Sequence, residues 1–270
     1  MTVPFENDTG NIVRKLARKS LKSEKRRNLM VVIAVALASC LICFSIVMAL
    51  STRQIEKNHV EDTYEAVYTR ITEEDVSTLK GLDDFSRVGE YYMLAVEPAE
   101  QGYNASYIYC DEETMYIARD QMKLLEGRLP QKEDEVVVSR YFLSNYGADA
   151  GIGEKVMLSS ESFHGEYTVT GIMEGYKEKE VNGTSILLSK EALKGWSGYD
   201  PADYRAYVHF KNEQQMDETE LTARSREIAK EYQLEMPVMN LSYMKFYKQP
   251  VNVSMLALVA GIAVLVIIGG

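Results

Sequence analysis

The chain has 270 residues, room for one or two domains, and 46% of them are apolar, enough for a packed core. Its 40 acidic and 30 basic residues are unevenly placed: residues 1–28 hold eight bases against three acids, whereas residues 51–250 keep 22 bases and 37 acids, a net of −15. A stretch that acidic speaks against nucleic-acid binding, which needs a basic patch, and keeps away from anionic lipid.

Near the start, Ile12, Val13, Leu16, Ala17 and Leu21 recur close to helical spacing among Lys and Arg. They predict a basic amphipathic helix over 11–28, suited to the inner membrane surface, the alternative being a disordered basic leader. Residues 29–50 then run uncharged for 22 positions. A helix of that length rises ~33 Å, enough for a bilayer core of ~30 Å. The basic flank before it puts residues 1–28 in the cytoplasm and everything after Leu50 outside. Two rival readings fit less well. A cleaved signal peptide would have a shorter apolar run and leader. Leu37-Ala38-Ser39-Cys40 has the look of a lipobox, yet a lipid-modified cysteine should begin a polar chain, and residues 41–50 are greasy. The Cys40-x-x-Cys43 pair lies inside this run and reads as packing. Cys110 is alone in the acidic stretch, which rules out a disulfide framework there.

The acidic stretch reads as α+β. The first helix is expected to continue through Arg53 to Val60. Residues 64–71 alternate as a strand, and Thr72 followed by Glu73, Glu74 and Asp75 marks a helix start. Strands are expected over 87–96 and 105–110, and a helix over 113–126 with Gly127 as its left-handed cap and Pro130 just beyond. Short β-rich runs follow at 135–139, 155–158, 167–172, 185–188 and 205–210. An amphipathic helix is expected over 213–232, and residues 241–250 lead into a second apolar run, 251–270. That run reads as the start of a return crossing. It has no basic flank, which suggests the N-terminal part of a longer multi-span protein.

Chemistry-bearing motifs are scarce. His59, His164 and His209 are scattered, with no metal-ligand spacing. There is no Walker-type loop for ATP and no Gly-x-Ser-x-Gly elbow. Glu133-Asp134-Glu135 reads as a solvated turn. Asn104-Ala105-Ser106 and Asn182-Gly183-Thr184 match a glycosylation pattern that is frequent by chance. The 18 tyrosines admit two readings. Pairs such as Tyr91-Tyr92 could form a binding face, or simply pack on sheet faces. No catalytic, cofactor-binding or metal-ligating residue is assigned, no cofactor is expected, and nothing argues for an enzyme.

One stretch carries a resemblance. Leu125-Glu126-Gly127-Arg128-Leu129-Pro130 is followed by Glu135-Val136-Val137-Val138-Ser139, then Gly151-Ile152-Gly153-Glu154-Lys155-Val156, then Tyr167-Thr168-Val169-Thr170-Gly171-Ile172. This order resembles the extracytoplasmic core domain of MacB/FtsX-type ABC transporter permeases, with Glu154 where the family usually has Asp. The basic segment around Leu16-Ala17-Arg18-Lys19-Ser20-Leu21-Lys22, followed by a span and a large outer domain, fits the same family. The resemblance implies a cytoplasmic segment at 1–28, a first transmembrane helix at 29–50 and an extracytoplasmic α+β domain at 51–250. A porter part would flank an inserted part near 112–200, and a second transmembrane helix would begin at 251–270. It also implies a separate cytoplasmic ABC ATPase subunit, pairing as a homo- or heterodimer, contact with membrane lipid and no nucleic-acid partner. Two other functions share this topology: a membrane-bound sensor, and an FtsX-like regulator of cell-wall enzymes.

Overall fold

The computed structural model describes residues 9–248 apart from 24, 101, 120, 147–149 and 176–177. The expected second span at 251–270 lies outside the described residues. The chain divides between Ile55 and Glu56 into two units. The first holds α1 (Thr9–Ser23) and most of α2 (Lys25–Val60). On α1, Ile12, Val13 and Leu16 are exposed. Within α2, Lys25–Asn58 is long and apolar enough to cross a membrane. Its hydroxyls turn inward on the helix itself: Ser39 Oγ donates to Val35 O and Ser45 Oγ to Leu41 O. Such back-bonding gives each hydroxyl a partner within its own helix.

The second unit is built on β1 (Ala66–Ile71), α3 (Glu73–Lys80), β2 (Phe85–Pro98), β3 (Asn104–Cys110), α4 (Glu112–Ile117) and β4 (Met122–Gly127). There follow β5 (Glu135–Ser139), α5 (Arg140–Asn145), β6 (Lys155–Ser159), β7 (His164–Gly175), α6 (Glu178–Val181) and β8 (Gly183–Leu188). The unit closes with α7 (Lys190–Gly195), β9 (Tyr204–Phe210), α8 (Glu218–Glu231), β10 (Val238–Met239), α9 (Leu241–Tyr243) and a wider helical turn, Met244–Lys248. Among the described residues the strands form one sheet in the order β10-β1-β9-β2-β3-β8-β5-β7-β4, with β6 paired to β7. The halves of this sheet follow the chain. Strands β4 to β8 lie between β3 and β9 in sequence and occupy one side, joined to the other by the parallel β3–β8 pair.

Adjacent strand residues point to opposite faces, so a sheet covered on both sides needs apolar residues at consecutive positions. Tyr68, Tyr92 and Val208 pack on one face with Leu79 of α3 and Leu221 and Ile228 of α8. Their neighbours Val67, Tyr91 and Tyr207 pack on the other with Met115 and Ile117 of α4. Many of the tyrosines pack on the sheet in this way. Tyr91 and Tyr92, candidates for a binding face, are buried, and Tyr68, Tyr103, Tyr107 and Tyr204 are fully so.

The α3 start matches its sequence signal: Thr72 Oγ1 accepts from Asp75 N, and Asp75 accepts from Thr72 N, a reciprocal capping box. Two helix expectations are corrected. The helix expected over 113–126 ends at Ile117, and Met122–Gly127 is strand β4. Lys123-Leu124-Leu125-Glu126 favours a helix locally, but its ladder with β7 and the burial of Met122 outweigh that preference. The helix expected from Glu213 begins at Glu218, where Asp217 and Glu220 cap each other.

Candidate functional site

The four motifs of the sequence resemblance converge on one place. Gly127 faces Gly171 across the β4–β7 ladder, and Arg128 N donates to Thr170 O at 3.0 Å. The turn before β6 docks alongside: Gly153 N donates to Val169 O and Val169 N to Glu154 O, both at 2.8 Å. Gly127 holds φ +83°, and a Cβ on it would lie 2.2 Å from Thr170 O. Glycine is therefore required twice over, by backbone conformation and by space. Arg128 closes the cluster through a fork onto Glu135, with Nη1 to Oε2 at 2.8 Å and Nη2 to Oε1 at 2.7 Å. Glu135 also accepts from Gln131 N and Lys132 N, and the Arg128 guanidinium and these amides hold its carboxyl down at about 2. Glu135 is thus a buried ion-pair partner rather than part of a solvated turn. The cluster is a joint in the fold and presents no reactive group.

A second constellation was not legible in the sequence. It lies where the end of α2 meets the segment before Lys248, within the second unit. Val60 is buried in the core, and Thr63 closes the helix, with its N–H and its hydroxyl both donating to Val60 O. Arg119, after α4, donates to Glu61 O, sits 3.7 Å from the Asp62 carboxylate and lies over the Tyr116 ring, with Arg87 on the same ring. Cations near the carbonyl end of a helix complement its dipole.

The next residues hold the far end of the chain. Asn240 donates from Nδ2 to Tyr64 O at 2.9 Å and from its backbone to Glu65 O at 2.8 Å, while its Oδ1 caps α9. Glu65 itself is 0% exposed. Its Oε1 lies 2.7 Å from His209 Nδ1, and its Oε2 accepts from Phe210 N at 2.7 Å. Burial pushes the Glu65 carboxyl up despite the lowering by His209 and the Phe210 amide. Burial alone would pull His209 down, but the hydrogen bond and charge of Glu65 outweigh it and leave the imidazole above its ordinary value. A backbone hydrogen bond with Thr63 adds to that rise.

Elsewhere the polar groups serve packing. Glu90, nearly buried, lies 2.5 Å from Lys190 Nζ and 3.6 Å from Lys80 Nζ, and Lys190 also reaches Glu73 at 2.7 Å. An open surface depression near Arg87 and Lys80 is lined by groups already committed to Glu113 and Asp111. Of the histidines, His164 is exposed on β7 and far in sequence from the half-buried His209. Among the described residues, no three His, Cys, Asp or Glu side chains gather as a metal site would require.

Comparison with the curated proteins finds no match. Among solved structures, the chain is similar to the extracellular domain of the noncanonic ABC-type transporter YknZ from Gram-positive bacteria (16% identity, TM-score 0.46, covering 66% of this chain and all of that one). It is also similar to a domain of a putative permease from Porphyromonas gingivalis (15%, 0.45, 72% and 96%). A third likeness is to the periplasmic region of MacB from Actinobacillus actinomycetemcomitans (10%, 0.47, 69% and 92%). The model of the MacB-like periplasmic core domain matches residues 29–226, well over half of the chain. The chain therefore belongs to the MacB-like periplasmic core domain family, the extracytoplasmic domain of ABC-type transporter permeases with an apolar helix at its N-terminal side.

Proposed function

We propose that the chain is the membrane subunit of a MacB/FtsX-type transporter, in which a separate cytoplasmic ATPase drives movement of the extracytoplasmic domain. The observation that carries this reading is α2. It runs from the basic flank at Lys25 to Val60 without Pro or Gly, and its last residue is buried in the core of the outer domain. A helix free of breaking residues transmits displacement as a unit. In this reading residues 1–28 are cytoplasmic, 51–250 extracytoplasmic, and 251–270 begin the return crossing. The subunit works as a homo- or heterodimer within lipid. It exports, or displaces outside the membrane, a peptide, an antimicrobial or a lipid-linked compound. The inserted part near 112–200 corresponds to the half-sheet of β4 to β8, a division supported by the sheet order.

The test is an insertion of Gly-Gly-Pro after Gln54 in the full protein. The variant should still co-purify with its ATPase and lose export. Normal export would overturn the transmission reading. Co-purification of a wall hydrolase alongside the ATPase would favour the regulator instead, and failure to retain any ATPase would favour the sensor.

A further inference from the structure

The Glu65–His209 pair sits on the crossing of two connectors. Through Thr63, it adjoins the end of α2. Through Glu65 O and Tyr64 O, it holds Asn240 and thereby the cap of α9, from which the chain proceeds to residues 244–248. Both partners are enclosed: the Glu65 side chain is 0% and that of His209 14% exposed. A carboxylate taken so far from water is costly unless a positive charge faces it, and removing that charge strands it.

The surrounding charges sharpen the point. Glu213, from the loop after β9, acts on both members of the pair. Tyr243 of α9 is buried beside Glu65 and Glu213, with Asp62 and Tyr247 nearby, and burial pushes its phenol up, out of the physiological range. Arg87 of β2 and Arg119 act on the Asp62 side of the group. His209 is the titratable cation placed directly on Glu65.

We propose that Glu65 and His209 form a proton-binding pin that ties the exit of the first-span helix to the segment before residue 248 while His209 is protonated, and that loosens when His209 gives its proton to water. The inference deepens the transmission reading and rests on it for biological meaning, whereas the test below reads the pin itself, so either can fail alone.

The sign follows from both shifts. His209 is raised above 6.5, so its stabilisation is complete below 6.5 and is lost as pH rises through its folded value. Glu65 is raised above 4.5, so the folded pair holds more protons than the unfolded chain across the same direction of change. Raising the external pH from neutral therefore weakens the crossing.

The experiment is hydrogen–deuterium exchange on the full chain in lipid nanodiscs between pH 6 and pH 9, corrected for intrinsic exchange. Amides of 63–66 and 240–244 should lose protection several-fold over that range, while those of β5 and β7 hold theirs. The Glu65→Gln and His209→Gln variants should abolish the difference. A wild-type profile with no excess loss at the crossing, or a Glu65→Gln profile that keeps it, overturns the pin. Should either variant fold poorly, carbon-detected histidine NMR of the wild type decides. With His59→Gln and His164→Gln supplying the assignment, His209 should titrate above 6.5, and titration at or below that value overturns the proposal.

Discussion

Replacement of Gly127 by alanine separates two demands that the fold makes on one residue. The first is conformational: φ is +83°, where a Cβ costs roughly 1–2 kcal/mol. The second is steric, because that Cβ would lie 2.2 Å from Thr170 O and 2.7 Å from the Gly171 Cα. Both neighbours are backbone atoms of β7, which cannot rotate away as a side chain would. Relief requires shifting the β4–β7 ladder, and overpacking of this kind costs about 1–3 kcal/mol. Gly127→Ala should therefore lose about 2–5 kcal/mol in all. Gly153 supplies the control. Its φ is +89°, but nothing lies within 4 Å of an added Cβ, so Gly153→Ala carries the conformational cost alone. Urea unfolding of the full chain in micelles, followed by fluorescence of Trp196, reads both. Trp196 is the sole tryptophan in the sequence and packs 6.2 Å from Phe163. Equal losses for the two variants would refute the close approach between the Gly127 turn and β7.

Three further outcomes follow from the same geometry. The Glu135 carboxyl is held down at about 2, so the stability it gains from Arg128 is present above its unfolded value and lost as pH falls. The gap in melting temperature between wild type and Glu135→Gln should be full above pH 4.5 and close toward pH 2. Tyr68 donates from its buried hydroxyl to Ser225 O at 2.9 Å, tying β1 to α8. Ser225 O lies within α8 and keeps its helical partner, so Tyr68→Phe should cost only the net worth of one hydrogen bond, about 0.5–1.5 kcal/mol, in urea unfolding. The Cys110 thiol is buried beside Met122, and burial pushes it up, away from the thiolate. Maleimide should label it only after denaturation; labelling in the native state would show that the α4 face opens.

Much of the fold was legible because its signals are local. Thr72 and Asp75 form a cap through atoms three residues apart, and any sequence of that kind announces a helix start. The strands at 135–139 and 204–210 stand out as β-branched and aromatic runs. The stretch from 113 to 126 misleads because Leu124, Leu125 and Glu126 are good helix formers, and their fate is decided by β7, some 50 residues away. The cap reading of Gly127 found its left-handed φ but gave it the wrong neighbours: the residue ends a strand, and its demand for space comes from Thr170. Family motifs carry such long-range information implicitly. Gly127, Arg128, Glu135, Gly153 and Gly171 look like unrelated turns in the sequence and prove to be one contact cluster in space.

The crossing at Glu65 lay beyond that kind of reading. In sequence, Glu65 is one of 40 acids in a strongly acidic chain, and His209 is one of three scattered histidines. Nothing local distinguishes them, since they stand 144 positions apart and meet only because β9 inserts between β1 and β2. That same insertion explains why the pair is placed to matter. By pairing with β1 on one side and β2 on the other, β9 brings a titratable ring against the residues that follow α2, and β10 on the far side of β1 brings Asn240 to them. Both connectors thus reach the sheet through neighbouring strands. Movement of either one relative to the other must strain the Asn240 bonds to Tyr64 and Glu65 before it reaches the inner strands. An apolar pair of similar volume would often hold the strands as well as a buried ion pair, so what distinguishes this pair from a plain fastening is its response to pH, which the exchange experiment reads.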